Sequence, residues 1–218
     1  MIRRLAAILT LLLTAPGTAL ALPPHADAFT RLAGLEDHAE AIAGGEATGA
    51  KAQAAARAVV SGWPALRATF ARDPQAKYAL LAVDGEVAAL RAAGTDPSRL
   101  RLAANETTGA LAPLFDFAGD RVPVAVHLLD YLGRAVAIDA AAASWARAAT
   151  DAAQLDRAWQ SLRPRVLLQP RGAAAAARAD AAVARIAAAV VARNATRTVA
   201  SARASGDAVD ALEKVYGG

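Results

Sequence analysis

The stretch that decides the fold is residues 122–145, VPVAVHLLDYLGRAVAIDAAAASW. Apolar residues recur in it at four-three spacing, which places them on one face of an α-helix. We expect this helix to begin at Pro123 and to reach about Ala149. Because a seven-residue repeat is shorter than two straight helical turns, the pattern predicts a bundle with gentle left-handed supercoiling. The predicted stripe consists of Val124, Leu128, Tyr131, Ala135, Ile138, Ala142 and Trp145.

Three polar side chains project from the flank of that stripe. Asp130 and Arg134 are an acid-then-base pair four residues apart, and His127 lies one turn before Asp130. We expect Asn105 and Glu106, on the preceding helix, to face them and form a ligand-binding site. A His–carboxylate pair there would hold a metal ion or transfer a proton, and Arg134 would hold an anion. The alternative is a solvated helix edge with an ordinary salt bridge, since a metal site needs three or four ligands.

Alanine, the strongest helix former, dominates the rest of the chain, and no segment alternates β-branched with polar residues. Asp73-Pro74 and Asp96-Pro97 are start signals, because each places a capping side chain before a proline at the first helical position. Gly44-Gly45 and Gly119-Asp120 are stop signals. The pattern predicts an all-α fold, an antiparallel bundle of about six to eight mostly Ala-rich helices.

Several further helix limits rest on single signals. The second helix is predicted to stop at Gly62-Trp63-Pro64, and another to begin at Thr150-Asp151 and end before Pro164. A long Ala-rich helix is expected over residues 173–204, with a break at Ser205-Gly206-Asp207. We find no internal repeat strong enough to predict a solenoid.

The N-terminus has the three parts of a secretory signal. Arg3 and Arg4 precede an apolar run, residues 5–13, and Ala19-Leu20-Ala21 supplies small residues at a cleavage site. The alternative is a membrane anchor, but a spanning helix needs roughly 20 continuous apolar residues, and the run over residues 5–13 is less than half that length.

We therefore expect residues 1–21 to be a cleaved signal peptide and residues 22–218 to be a single helical-bundle domain without a membrane span. A high content of Ala and Arg with few lysines is typical of a GC-rich bacterium, and export would then lead to the periplasm.

Composition excludes several classes of site. The formal net charge is +4, and loss of Arg3 and Arg4 would leave a nearly neutral chain, so we expect no binding to nucleic acid. The absence of cysteine rules out c-type haem, iron–sulfur clusters and thiol catalysis. Met1 is the sole methionine and would leave with the signal. We expect no cofactor.

The first predicted helix carries a second group of candidate ligands. Glu36, Asp37, His38 and Glu40 could contribute to a divalent-metal site, but the four do not share one helical face. A charged, exposed flank is the alternative.

These features favour an exported, non-enzymatic binding or accessory protein that uses a helical face or an apolar groove, with a protein or small ligand as partner. The alternative is a periplasmic protein that handles a small ligand or divalent metal through His127, Asp130 and Arg134. An enzyme comes third, because no set of acid, base and nucleophile is visible. The architecture resembles exported four-helix cytochromes, but their ligand motifs are absent, so the resemblance implies no function.

Overall fold

The computed structural model describes residues 24–217, and these contain eight α-helices and no β-strand. The prediction of an all-α bundle is confirmed, with a helix number at its upper limit. The predicted signal peptide lies outside the described residues. Among the helices of residues 24–217, none has a stretch long and hydrophobic enough for a bilayer crossing. The helices are α1 Pro24–Ala43, α2 Gly49–Phe70, α3 Lys77–Ala92, α4 Pro97–Phe117, α5 Val124–Ala141, α6 Trp145–Leu167, α7 Gly172–Val191 and α8 Ala195–Gly217.

The eight helices form two halves, each with its own hydrophobic core. Helices α1–α4 (the first half, residues 24–117) bury one cluster, which includes Leu32, Trp63 and Leu111. Helices α5–α8 (the second half, residues 124–217) bury another, around Trp159 and Ile186. The halves meet where α4 packs against α5, and α5 also packs against α6 and α8.

The two halves share a set of side-chain interactions that the sequence did not predict. In the first half, the Trp63 indole N–H donates to Asp84 at 2.8 Å, and Arg67 binds the same carboxylate. In the second half, Trp159 donates to Asp180 at 2.7 Å. Arg163 completes this second set, again four residues after the tryptophan and 17 before the aspartate. Residue n of α2 and α3 thus corresponds to residue n + 96 of α6 and α7, as Trp63 corresponds to Trp159.

The predicted apolar stripe of α5 was mostly wrong in phase, since Ala135 is the only one of its seven residues that is buried. The other buried apolar positions are Val126, Leu129, Leu132, Val136, Ala137 and Ala140. The reason is that α5 packs against helices on several sides. Apolar residues therefore lie on more than one of its faces, and the four-three pattern can be assigned in more than one phase.

Several of the predicted helix limits were also wrong. Pro64 lies inside α2, where burial of Trp63 and Leu66 offsets the hydrogen bond that a proline removes. Ser144 lies just before α6, so the chain turns earlier than Thr150, and α6 continues past Pro164 to Leu167. The long Ala-rich helix is two helices, because the Asn194 side chain accepts the backbone N–H of Arg197 and starts α8. Helix α8 continues through residues 205–207.

Helix ends differ between the halves. Several turns of the first half have a glycine in the left-handed region, whereas three turns of the second half have a residue with a side chain there. These three residues are Ala143 (φ 55°), Arg171 (φ 64°) and Arg193 (φ 46°).

Candidate functional site

Arg134 of α5 joins three helices across the boundary between the halves. Its Nε donates to Asn105 Oδ1 at 3.2 Å, and an Nη donates to Thr108 Oγ1 at 3.1 Å. The other Nη contacts Asp130 on the same helix and Glu40 of α1, the latter at 3.1 Å. The planar guanidinium therefore has protein acceptors on both edges. The structure places Asn105, Asp130 and Arg134 together, as the sequence predicted.

His127 lies one turn before Asp130, and both its ring nitrogens face carboxylates. Nδ1 is 3.5 Å from Glu36 of α1, and Nε2 is 3.1 Å from Asp120 in the connection between the halves. The ring stacks on Phe115 with centroids 4.2 Å apart. Burial lowers the pKa of His127, but hydrogen bonds to Asp120 and Glu36 outweigh burial and raise it to about 10. The imidazole is therefore a cation at neutral pH.

Glu40 contacts both Arg134 and Asp130, and its carboxyl has a raised pKa. Burial raises the pKa of Glu40 most, Arg134 lowers it, and the charges of Asp130 and Glu36 raise it again, to about 9. A neutral Glu40 can donate a hydrogen bond to Asp130, which keeps two neighbouring acids from carrying full charge together.

Tyr131 separates this group from Glu106, the fifth predicted site residue. Its hydroxyl donates to Glu106 at 2.9 Å, and its backbone carbonyl accepts from Asn105 at 3.3 Å. The ring packs on α4 at Gly109, where an added Cβ would be 2.9 Å from two ring carbons. Glycine at this position thus permits the close approach of α4 and α5.

These side chains form the boundary cluster, which lies between the first and second halves and is largely buried. Each polar group described above has a partner within the protein. The hydrogen bonds and ion pairs of the cluster therefore connect the two halves. The boundary cluster consists of Glu36, Glu40, Asn105, Asp120, His127, Asp130 and Arg134.

Only part of the boundary cluster was predicted from the sequence. The prediction grouped Glu36 and Glu40 with Asp37 and His38, but the structure turns the first two toward α5 and leaves the latter two exposed. The one-turn spacing of Glu36 and Glu40 was the available signal. Asp120 was seen only as part of a helix end, and nothing near it in sequence indicated that it faces His127.

A cavity of about 260 Å³ lies beside the boundary cluster, where α4, α5 and α6 meet. Glu106 is the one charged lining residue that the sequence predicted as part of the site. Carboxylates outnumber cations in the lining, and two apolar side chains form part of its wall. The lining residues are Leu102, Glu106, Ala135, Asp139, Arg147, Thr150 and Asp151.

Two of the carboxyls in this cavity are paired. Asp139 is 5% exposed and accepts a hydrogen bond from Arg147. Burial raises the pKa of Asp151, and a hydrogen bond with Asp139 and the charges of Asp139 and Glu106 raise it further, to about 6. The cavity thus holds three carboxyl side chains against one guanidinium, a balance of charge that favours a cation.

A second concavity, the α6–α7 groove, has about 430 Å³ and a mainly apolar lining. Most of its apolar lining residues are alanine or valine. The lining residues are Ala149, Ala152, Ala153, Asp156, Trp159, Gln160, Asp180, Val183, Ala184, Ala187, Val190 and Val191.

No group of three or more His, Cys, Asp or Glu side chains within residues 24–217 has a geometry that could hold a metal ion. The expectation of a metal at His127 and Asp130 stays a prediction. No protein-family model, curated protein or solved structure matches the chain.

Proposed function

We propose that this protein is an exported, non-catalytic binding protein whose ligand is a small organic cation with an amino group. The observation that carries the proposal is the cavity between α4, α5 and α6, where Glu106, Asp139 and Asp151 surround a space of about 260 Å³. Carboxylates in a partly enclosed site bind an ammonium group through charge-assisted hydrogen bonds. Leu102 and Ala135 offer the apolar wall that an alkyl chain would contact.

The proposal locates the ligand next to the predicted residues His127, Asp130 and Arg134. Those three are bonded to protein groups, so a ligand there would have to displace an existing partner. Glu106 connects the two regions because it accepts from Tyr131 and also lines the cavity. The periplasmic location follows from the expected signal peptide and belongs to the same proposal. The divalent-metal alternative stays a prediction.

Isothermal titration calorimetry with 1,4-diaminobutane tests the ligand class. We expect millimolar or tighter affinity at pH 7.5, and no binding of succinate, because the cavity carries net negative charge. Affinity for the diamine should fall as the pH drops through about 6, where Asp151 takes up a proton. A second titration with calcium chloride separates an organic cation from a metal ion, and binding of calcium without the diamine would overturn the ligand class.

Variants locate the site. Asp151→Asn and Glu106→Gln should each weaken diamine binding at least tenfold, since each removes one charge-assisted bond. Asp116→Asn is the matched control, because Asp116 is exposed on α4, the helix of Glu106, and lies outside the cavity. Equal affinity in all three variants would show that the diamine does not bind in the cavity.

A further inference from the structure

Two exposed positions of the α6–α7 groove are apolar where the equivalent positions of the first half are charged. In the n + 96 register, groove residues Ala153 and Ala187 correspond to Arg57 and Arg91, both exposed on α2 and α3. The second half therefore has a methyl group at each position where the first half has a guanidinium. Val191 at the end of the groove is 85% exposed.

The first half has the converse feature, an exposed apolar ridge on α3. Tyr78 is 81% exposed and Leu81 is 53% exposed, and they lie three residues apart on one face of the helix. Their counterparts in α7 are Ala174 and Ala177. The α3 ridge thus has only alanine at the equivalent positions of α7.

The charges beside the two surfaces are complementary. Asp156 is exposed in the groove lining and accepts a hydrogen bond from Gln160 at 3.2 Å. Lys77 is exposed directly before Tyr78 on the ridge. The other groove carboxylate, Asp180, is held by Arg163 and Trp159. Asp156 is therefore the carboxylate that a basic residue entering the groove would meet.

We propose that the groove binds a second copy of this chain, with the α3 ridge of one molecule seated between α6 and α7 of the next. Tyr78 and Leu81 pack on the alanine floor, and Lys77 pairs with Asp156. Aromatic side chains are enriched at interfaces because they bury a large area at low entropic cost. The contact joins two different surfaces, so it is heterologous, and each associated molecule leaves a free ridge at one end and a free groove at the other.

Analytical ultracentrifugation of the full protein tests this contact. The average mass should rise with concentration between the micromolar and the high micromolar range. Tyr78→Glu replaces the aromatic side chain of the ridge with a charge. Ala187→Arg places an arginine in the groove, as the first half has at the equivalent exposed position, Arg91. Each variant alone should be monomeric, with association at least tenfold weaker. Ala181→Arg is the matched control, since Ala181 is exposed on α7 outside the groove lining, and it should associate like the unmodified protein.

Mixing the two monomeric variants gives the decisive measurement. The Tyr78→Glu variant has an intact groove and the Ala187→Arg variant an intact ridge, so an equimolar mixture should form a one-to-one dimer and nothing larger. Circular dichroism verifies that both variants are folded. A mixture that stays monomeric would overturn the proposal. So would an unmodified protein that is monomeric throughout, or a Tyr78→Glu variant that still self-associates. Diamine binding is measured separately, so neither proposal depends on the other.

Discussion

His127 between two carboxylates should make the stability of the protein depend on pH in alkaline solution. Its folded pKa of about 10 exceeds the ordinary value of 6.5. A group whose pKa is raised by folding stabilises the folded chain fully below its unfolded pKa, and this contribution is lost as the pH rises through the folded pKa. The stabilisation is therefore complete below about pH 6.5, declines between 6.5 and 10, and is absent above 10.

The size of the effect follows from the same two values. One unit of pKa difference corresponds to about 1.4 kcal/mol, which gives an upper limit of about 5 kcal/mol for the protonated imidazole. The side chain is 9% exposed, so solvent screens the interaction little. In a chain of this length that amounts to a shift in Tm on the order of 10–20 °C.

Thermal unfolding of the protein and of the His127→Gln variant, followed by circular dichroism between pH 6 and pH 10.5, measures this contribution. The gap in Tm between the two should be largest near pH 6 and should close toward pH 10.5. Glu40 also titrates in this range, but it is present in both proteins, so the comparison isolates His127. His38→Gln, at an exposed position of α1, is the control and should follow the unmodified protein. A gap that stays constant over the whole range would refute a protonated His127.

Two further predictions concern packing. Gly109→Ala should destabilise the protein by about 1–3 kcal/mol, because the new Cβ would collide with the Tyr131 ring. Gly85→Ala has open space around it and should stabilise the protein by about 0.5–1 kcal/mol. Urea unfolding measures both free energies, and equal effects of the two substitutions would contradict the close contact of α4 and α5. Trp63→Phe and Trp159→Phe should each lower the free energy of unfolding by about 1–2 kcal/mol through the lost indole hydrogen bond, in addition to any loss of packing. Tm shifts of very different size in the two variants would show that the two halves do not share this interaction.

Sequence reasoning succeeded where the cause of a structure lies close by in the chain. Asp73 and Asp96 were predicted as caps, and each accepts backbone N–H groups two or three residues later. Asn105 was expected to face Arg134 because adjacent helices joined by a short connection are antiparallel. That step needs only the order of the helices and an approximate register.

Some turns have no sequence signal, and the features that depend on them were not predicted. The chain reverses at Ala143 and Ser144, in a run of small residues that predicted a continuous helix. Without that turn, Asp151 cannot lie beside Asp139, so the cavity between α4, α5 and α6 was not predicted. The contact of Glu36 with His127 was missed for another reason, since the register of α1 against α5 is set by the packing of both halves.

Three turns have a left-handed residue that is not glycine, namely Ala143, Arg171 and Arg193. Each conformation costs on the order of 1 kcal/mol relative to glycine, and all three lie in the second half. A population of sequences under selection keeps such costs only while the rest of the protein supplies a margin of stability above its threshold. The second half therefore has room for improvement: glycine at these three turns is a direct route to a more heat-resistant protein that leaves the cavity and the groove unchanged.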